Sequence, residues 1–101
     1  MPLPVVTSPE ADEDIRLVDG WWREHRPAAP DLFVNELAEA FAILGETPEI
    51  GHRYPRPGIP SLRRLLLRAT RYHVYYVFDG KIAAVLSVWS AVRGRGPRLR
   101  R

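Results

Sequence analysis

Apolar residues recur at helical spacing in two stretches of the first half of the chain. Spacings of three and four residues place each set on one face of a helix. Ser8 and Pro9 precede the first stretch and are typical of a helix start, whereas Gly45 follows the second and is typical of a helix end. The proline-rich segment 26–30 separates them, so we predict a hairpin of two helices, the first ending near His25. Their apolar faces are Ala11, Ile15, Val18 and Trp22, then Phe33, Leu37, Ala40 and Leu44.

Strand-forming patterns dominate the second half of the chain. Tyr72–Phe78 is almost wholly aromatic and β-branched, and residues 82–89 are apolar on both faces, as expected of a central strand. Asp79-Gly80 lies between them and predicts a two-residue hairpin turn. Residues 62–68 mix leucine with arginine and are interpreted as the first of three consecutive strands, with Arg64, Leu66 and Arg68 on one face and Arg63, Leu65 and Leu67 on the other.

Two further segments complete the predicted fold. Residues 3–7 form a short apolar run whose prolines confine it to a sheet edge, and residues 47–60 contain four prolines and are predicted to be an ordered loop. The order of a strand, two helices and three strands indicates an α+β domain, with the helix hairpin on one face of an antiparallel meander. The first strand is expected to pair with one edge of that meander.

We predict one domain over residues 1–101, with residues 94–101 as a basic tail. Its core is expected between the helices and one sheet face, and to include Ile15, Val18, Trp22, Leu37 and Leu44.

Charge is sorted along the chain. The net charge is only +3, but residues 1–50 hold 11 of the 12 acids and three arginines, a net charge of −8. Residues 51–101 hold the other 12 bases against Asp79 alone, a net charge of +11. Because 14 of the 15 bases are arginine, which makes planar two-pronged contacts, the basic half favours an anionic partner, either nucleic acid or an acidic protein segment. A solvated basic face that serves solubility is the alternative.

Several kinds of chemistry are disfavoured. The chain has no cysteine, so it has neither a disulfide framework nor a thiolate zinc site. His25, His52 and His73 lack the spacing of metal ligands, and no phosphate-loop or cofactor motif is present, so we expect no metal and no cofactor. No leader and no apolar run of bilayer length is found, which predicts a cytoplasmic protein that does not associate with a membrane.

Two residues leave alternatives open. Alternation places His73 opposite Tyr72 and Val74, where it could stand beside arginines as a general acid or base, or be a partly buried histidine bonded to backbone. Trp21 cannot share one core with Trp22, so it either flanks the helical stripe or is an exposed anchor for another protein.

Three stretches carry a family resemblance: ADEDI at 11–15, RRLLL at 63–67 leading into YHVYY at 72–76, and VWSAVRGR at 88–95. With the order of elements, they resemble the RelE/ParE superfamily of type II toxin–antitoxin toxins over nearly the whole chain. The resemblance implies a toxin neutralised by a cognate antitoxin, whose acidic, poorly ordered segment folds on binding. It also implies that operator DNA is bound only through the antitoxin.

The resemblance offers two targets. RelE-like members cleave messenger RNA in the ribosome, whereas ParE-like members poison DNA gyrase and are not known as nucleases. RelE-like nucleases tend to carry arginine where this chain has His73, and many relatives have histidine and arginine where it has Ser90 and Val92. The long helix hairpin without an extra closing helix also favours the ParE branch, so we expect a gyrase poison, with the ribosome-dependent nuclease as the alternative.

The residues implicated fall into two groups. If the chain is a nuclease, the catalytic candidates are Arg64, Arg68, His73 and Arg93. The candidates for contact with the antitoxin or the target are Arg63, Arg64, Arg68, Arg71, Trp89, Arg93, Arg95 and Arg98. A plain nucleic-acid-binding module remains the rival from another class, and it would show salt-dependent affinity for generic DNA without any partner.

Overall fold

A computed structural model describes residues 2–92 and 96–99. The elements, in chain order, are β1 (Val5–Thr7), α1 (Pro9–His25), α2 (Leu32–Glu46), β2 (His52–Arg53), β3 (Arg63–Leu67), β4 (Tyr72–Phe78) and β5 (Ala83–Ser90).

The strands form one sheet in the order β1-β5-β4-β3-β2. β1 pairs in parallel with β5, and the other neighbours are antiparallel, which confirms an α+β domain with a three-stranded meander and a first strand on its edge. The predicted loop at 47–60 was wrong in one respect, because it contains β2. His52 and Arg53 pair with Arg64 and Arg63, and Tyr54 N donates to Leu62 O at 2.8 Å. A strand of two residues is too short to show the alternation of apolar and polar side chains from which strands are predicted.

Both helices lie where the sequence places them. The Ser8 hydroxyl accepts a hydrogen bond from Ala11 N at 3.0 Å, and α1 ends at His25 as predicted. The predicted helix end at Gly45 is wrong, because α2 continues to Glu46. Gly45 is needed there for another reason: Leu3 N donates to Gly45 O at 2.9 Å, and a Cβ at Gly45 would lie 3.1 Å from Leu3 O.

The hairpin between β4 and β5 also differs from its prediction. The Asp79 carboxylate accepts hydrogen bonds from Lys81 N at 2.8 Å and Ile82 N at 2.9 Å. The chain therefore reverses at Gly80 and Lys81, one residue later than expected, and Gly80 takes the positive φ of 92° that the turn requires.

The helices cover one face of the sheet, called the helix-side face below. Leu37 and Leu44 are buried there as predicted, but Ile15, Val18 and Trp22 are only partly buried, which corrects the prediction for α1. The reason is position: α1 lies over β5 and β1, at the side of the sheet, so one flank of its apolar stripe faces outward.

The other face, called the opposite face, carries a second apolar cluster. It is covered by the segment after β2 and by residues near the carboxyl end, with Tyr54 and Leu99 packing against it. The buried members are Ile59, Leu62, Tyr75, Val77 and Leu86. No local pattern in the sequence predicts that part of this face is covered.

Two carboxylates fasten the helices to the sheet. Asp14 of α1 accepts hydrogen bonds from Ser87 Oγ at 2.8 Å and Val88 N at 3.0 Å. Glu36 of α2 accepts from Ala69 N at 2.8 Å and from Thr70 N and Thr70 Oγ at 3.0 and 2.6 Å. Glu36 thus holds the β3–β4 turn, which carries two of the predicted arginines.

Glu36→Ala is expected to lower the free energy of unfolding by about 1–3 kcal/mol, because it leaves the donors of buried Thr70 without their acceptor. Glu39, which is exposed on the same helix, is the matched control, and Glu39→Ala should change stability by less than about 0.5 kcal/mol. Urea denaturation of both variants checks this. Equal stability of the two would show that the Glu36 contacts contribute nothing.

Candidate functional site: the cationic end of the opposite face

Three side chains lie side by side across the opposite face. Leu66 on β3 is the cross-strand neighbour of His73 on β4, which in turn neighbours Trp89 on β5. All three are half-buried, whereas Tyr75, the next residue of β4 on this face, is covered. The row of Leu66, His73 and Trp89 is therefore the accessible part of this face.

Burial and two nearby arginines lower the pKa of His73. Burial lowers the pKa of His73 from its usual 6.5, and the positive charges of Arg64 and Arg71 lower it further. The imidazole is therefore neutral at neutral pH. In that form one ring nitrogen can accept a proton and the other can donate a hydrogen bond. The ring lacks the additional proton of imidazolium, which is the form that protonates a leaving group.

The pKa of His73, measured by NMR titration of its ring protons, is expected below 6.5, and Arg64→Gln should raise it by removing one of the two charges. The folded state then binds this proton less tightly than the unfolded state does. The free energy of unfolding should accordingly be retained above pH 6.5 and fall as the pH drops below it. A wild-type pKa at or above 6.5, or no response to Arg64→Gln, would contradict this electrostatic account.

Tyr54 fixes the position of Arg64. The guanidinium of Arg64 lies 4.1 Å from the centroid of the Tyr54 ring, and that of Arg56 lies 4.7 Å from the same centroid. Arg56 Nη2 also donates to the Tyr54 hydroxyl at 2.6 Å, and the Tyr54 ring meets Tyr75 edge-on at 5.7 Å. Sequence analysis missed Tyr54 and Arg56, although an aromatic residue between arginines and prolines was a usable signal.

The other predicted residues are dispersed. Arg63 points to the helix-side face and donates to Glu49 O and Gly51 O at 3.1 and 2.8 Å, which is a structural role. Arg68 and Arg71 are exposed at the β3–β4 turn, and Arg71 takes a positive φ of 67°. The structure thus brings Arg64 and Arg71, but not Arg63, together with His73, and these three residues form the cationic end of the opposite face.

The predicted basic tail is described only in part. Arg93 and Arg95 lie outside the described residues. Within residues 96–99, Arg98 is exposed, but Pro97 is buried and Leu99 packs against the cluster on the opposite face. Gly96 lies so close to the Arg56 side chain that a Cβ there would be 2.9 Å from Arg56 Nη2.

A groove of about 670 Å³ adjoins this region, between α1 and the end of β5. Trp21 on its α1 side is 41% exposed, its ring stacks on His25 at 4.7 Å, and the Arg26 guanidinium lies 5.1 Å from its centroid. Trp22, deeper in the groove, donates from Nε1 to the Tyr72 hydroxyl at 3.3 Å. Of the two roles considered for Trp21, its exposure favours an anchor for another protein.

Neither a group of metal ligands nor a membrane-spanning helix is found in the part of the chain that the structure describes. Across residues 2–92 and 96–99, no three histidine, aspartate or glutamate side chains are grouped to hold a metal ion. No helix in the same ranges is long and apolar enough to cross a membrane.

Comparison with known proteins gives consistent results. The chromosomal ParDE TA system from P. aeruginosa is 18% identical with a TM-score of 0.69, and the match covers 87% of this chain and 95% of that one. A mutant of the E. coli toxin RelE in the free state is 22% identical with a TM-score of 0.52, over 91% of this chain and 86% of that one. At these identities the two structures show the fold alone. No curated protein matches the sequence.

The family comparison identifies the chain. Residues 5–94 match the family described as the ParE toxin of type II toxin-antitoxin system, parDE. The match spans nearly the whole chain and agrees with the resemblance to the RelE/ParE superfamily, nearer the ParE branch. This chain therefore belongs to the ParE toxin family of type II toxin–antitoxin systems.

Proposed function

We propose that this toxin acts in the cytoplasm by poisoning DNA gyrase, and that a cognate antitoxin neutralises it. Family membership implies the antitoxin partner. The observation that carries the choice of target is the environment of His73: burial and the positive charges of two arginines lower the pKa of its ring, so the one histidine of the row is poorly suited to protonate a leaving group.

The end of β5 supports the same choice. Ser90 is the last residue of β5 and its hydroxyl accepts a hydrogen bond from Val92 N at 3.3 Å, while Val92 is 73% exposed. Neither side chain carries a positive charge or has a pKa near neutral pH that would suit a general acid or base. A hydroxyl and an alkyl group thus stand where nuclease relatives tend to have histidine and arginine.

The cationic end of the opposite face supplies what an anionic partner needs. Arg64 is held by Tyr54, exposed Arg71 acts with Arg64 on the charge of His73, and exposed Arg98 lies on the carboxyl-terminal segment that packs on this face. We propose that an acidic antitoxin segment covers these charges in the resting complex, and that the target engages them when the toxin is free.

Expression of the toxin with and without the protein encoded by the adjacent reading frame tests this proposal. Growth should stop with the toxin alone and resume when the neighbour is coexpressed. If growth is unaffected by the toxin alone, the chain is not an active toxin. Strong, salt-dependent binding of the isolated chain to generic DNA would instead favour the nucleic-acid-binding module.

Action on the ribosome would be recognised by a different experimental result. A ribosome-dependent nuclease that used His73 would lose on the order of 10²–10⁴ in rate on His73→Ala. Message cleavage at codon boundaries that vanishes in this variant, without DNA breaks, would replace gyrase by the ribosome as the target.

A further inference from the structure

The Tyr54 ring brings two positive charges together on the opposite face. The guanidiniums of Arg64 and Arg56 lie 4.1 and 4.7 Å from its centroid, and Arg56 Nη2 donates to its hydroxyl at 2.6 Å. Among the described residues neither arginine forms an ion pair, because the salt bridges found there join residues of α1 to one another and to Asp31. Two guanidiniums held on one ring repel each other, so both would stabilise an anion placed beside them.

Tyr75 adds a hydroxyl group without a partner. Its side chain is 2% exposed, and its hydroxyl forms no hydrogen bond with any other described residue. The neighbouring Tyr76 differs, since its hydroxyl is bonded to both Pro48 O and Gly51 N. Because buried hydroxyl groups in proteins are nearly always bonded, the Tyr75 hydroxyl is a donor that a ligand can satisfy.

Gly96 shows where these polar groups meet. A Cβ placed on Gly96 would lie 2.9 Å from Arg56 Nη2, 3.6 Å from the Tyr54 hydroxyl and 3.8 Å from the Tyr75 hydroxyl. Groups from β4 and from the segment after β2 therefore converge on one point, and the carboxyl-terminal segment 96–99 passes over it at its one residue without a side chain. Tyr54, Arg56, Arg64 and Tyr75 are called the tyrosine–arginine cluster below.

Apolar contacts hold segment 96–99 in place. Pro97 is buried, and Leu99 is partly buried against the apolar cluster of the opposite face. No hydrogen bond between described residues joins this segment to the tyrosine–arginine cluster. The segment thus keeps solvent from these polar groups without replacing the hydrogen bonds that water would supply. A cover of this kind competes with any ligand of the groups beneath it.

The chemistry of the tyrosine–arginine cluster selects a phosphate group. Its charged groups are both guanidiniums, which bind oxyanions through several N–H donors and repel cations. A carboxylate offers two oxygens in one plane, whereas the oxygens of a phosphate group are arranged tetrahedrally. A phosphate group can therefore accept from Arg56, Arg64 and the Tyr75 hydroxyl together, although these donors come from different segments of the chain.

We propose that the tyrosine–arginine cluster is a phosphate-binding site that segment 96–99 covers in the free toxin. The phosphate group accepts hydrogen bonds from Arg56, Arg64 and the Tyr75 hydroxyl, and it displaces the segment, so that Leu99 leaves the apolar cluster. The group belongs to the free anion or to the backbone of a nucleic acid, which present the same chemistry to the site. The site goes beyond the proposed function, since it requires neither gyrase nor the antitoxin.

NMR titration of the full toxin chain with inorganic phosphate tests the site, at neutral pH and at an ionic strength kept constant with sodium chloride. The ring signals of Tyr75 and the methyl signals of Leu99 should shift together and saturate, with those of Leu99 moving towards the values of an unfolded chain. A dinucleotide with a single phosphodiester, titrated in the same way, distinguishes the two sources. Tighter binding of the dinucleotide assigns a nucleic acid, and tighter binding of phosphate assigns the free anion.

Two variants establish which groups bind the phosphate. Arg56→Gln and Tyr75→Phe should each weaken its binding by at least about tenfold, because each removes a hydrogen bond to a charged group. The matched controls are Arg16→Gln, on exposed α1, and Tyr76→Phe, on the helix-side face, and they should change binding by less than about twofold. Tyr75→Phe should also unfold at the wild-type temperature or above it, since it loses an unpaired hydroxyl.

Leu99→Ala tests the cover separately. It weakens the packing of segment 96–99 and should tighten phosphate binding roughly fivefold, because a larger fraction of the toxin is then uncovered. Leu17→Ala, which removes an exposed leucine of α1, is the control and should leave the binding unchanged.

Three results would overturn the proposal. The first is that neither ligand shifts the signals of Tyr75 and Leu99. The second is phosphate binding that Tyr75→Phe leaves intact, which would place the anion elsewhere among the arginines. The third is a Leu99→Ala variant that binds no more tightly than the wild type, which would show that the segment does not compete with the ligand. None of these results bears on growth inhibition or on neutralisation by the antitoxin, so the proposed function is tested independently.

Discussion

Reversal of two arginines, Arg64→Glu with Arg71→Glu, is expected to abolish growth inhibition while leaving the toxin folded. These are the two arginines whose charges reach His73 at the cationic end of the opposite face. Reversing charges at a contact with an anionic partner costs roughly 2–5 kcal/mol, which corresponds to binding that is weaker by roughly 30-fold to 4,000-fold. Growth after induction, at matched protein levels, measures the effect.

The control makes the same change in net charge elsewhere. Arg16 and Arg23 are exposed on α1 and pair with acids of the helical layer, in ion pairs that contribute little to stability. Arg16→Glu with Arg23→Glu should therefore leave killing intact. Equal loss of toxicity in both double variants would mean that overall charge matters and that the cationic end has no special role.

Tyr76→Ala is expected to cost about 3–5 kcal/mol of unfolding free energy, the largest stability loss predicted here. Tyr76 is completely buried; its hydroxyl donates to Pro48 O at 2.7 Å and accepts from Gly51 N at 2.8 Å. Burial raises the pKa of this hydroxyl, so the donor is present at all physiological pH values. Since a domain of this size has only about 5–15 kcal/mol in total, the variant should keep only a small part of the wild-type stability unless antitoxin is bound.

Tyr76→Phe measures the contribution of the hydroxyl to stability separately from that of the ring. It keeps the packing and loses two hydrogen bonds, so it should cost about 1–3 kcal/mol and remain cooperatively folded. Chemical denaturation of both variants provides the comparison. A Tyr76→Ala protein that unfolds at the same denaturant concentration as the wild type would show that the loop before β2 is not held by this side chain.

The elements that the sequence predicted best are those whose signal is local. The Ser8-Pro9 start of α1 and the apolar run of β4 depend on neighbours along the chain, and both were found as predicted. β2 was missed because its two residues acquire their structure only by pairing with β3, ten to twelve residues away. Gly45 was misread as a helix end because its role, a close approach of Leu3, is a tertiary contact.

The candidate site was predictable in composition but not in arrangement. Alternation along β3 placed Arg64 and Leu66 on one face, and the structure agrees, since Leu66 lies beside His73. Alternation could not show that Arg63 is used by the backbone of Glu49 and Gly51. Nor could it show that Tyr54, brought in by β2, stacks on Arg64. Such contacts depend on which segment folds over the opposite face, and no local pattern encodes that.

The most direct test of the proposed function is a gyrase assay with purified components. Toxin released from its antitoxin, incubated with gyrase, supercoiled DNA and ATP, should produce gyrase-linked double-strand breaks, and Arg64→Glu with Arg71→Glu should abolish them while His73→Ala should not. Breaks that are lost on adding back the antitoxin would link the activity to its neutralisation. Intact DNA in this assay, together with His73-dependent cleavage of messages on ribosomes, would contradict the account.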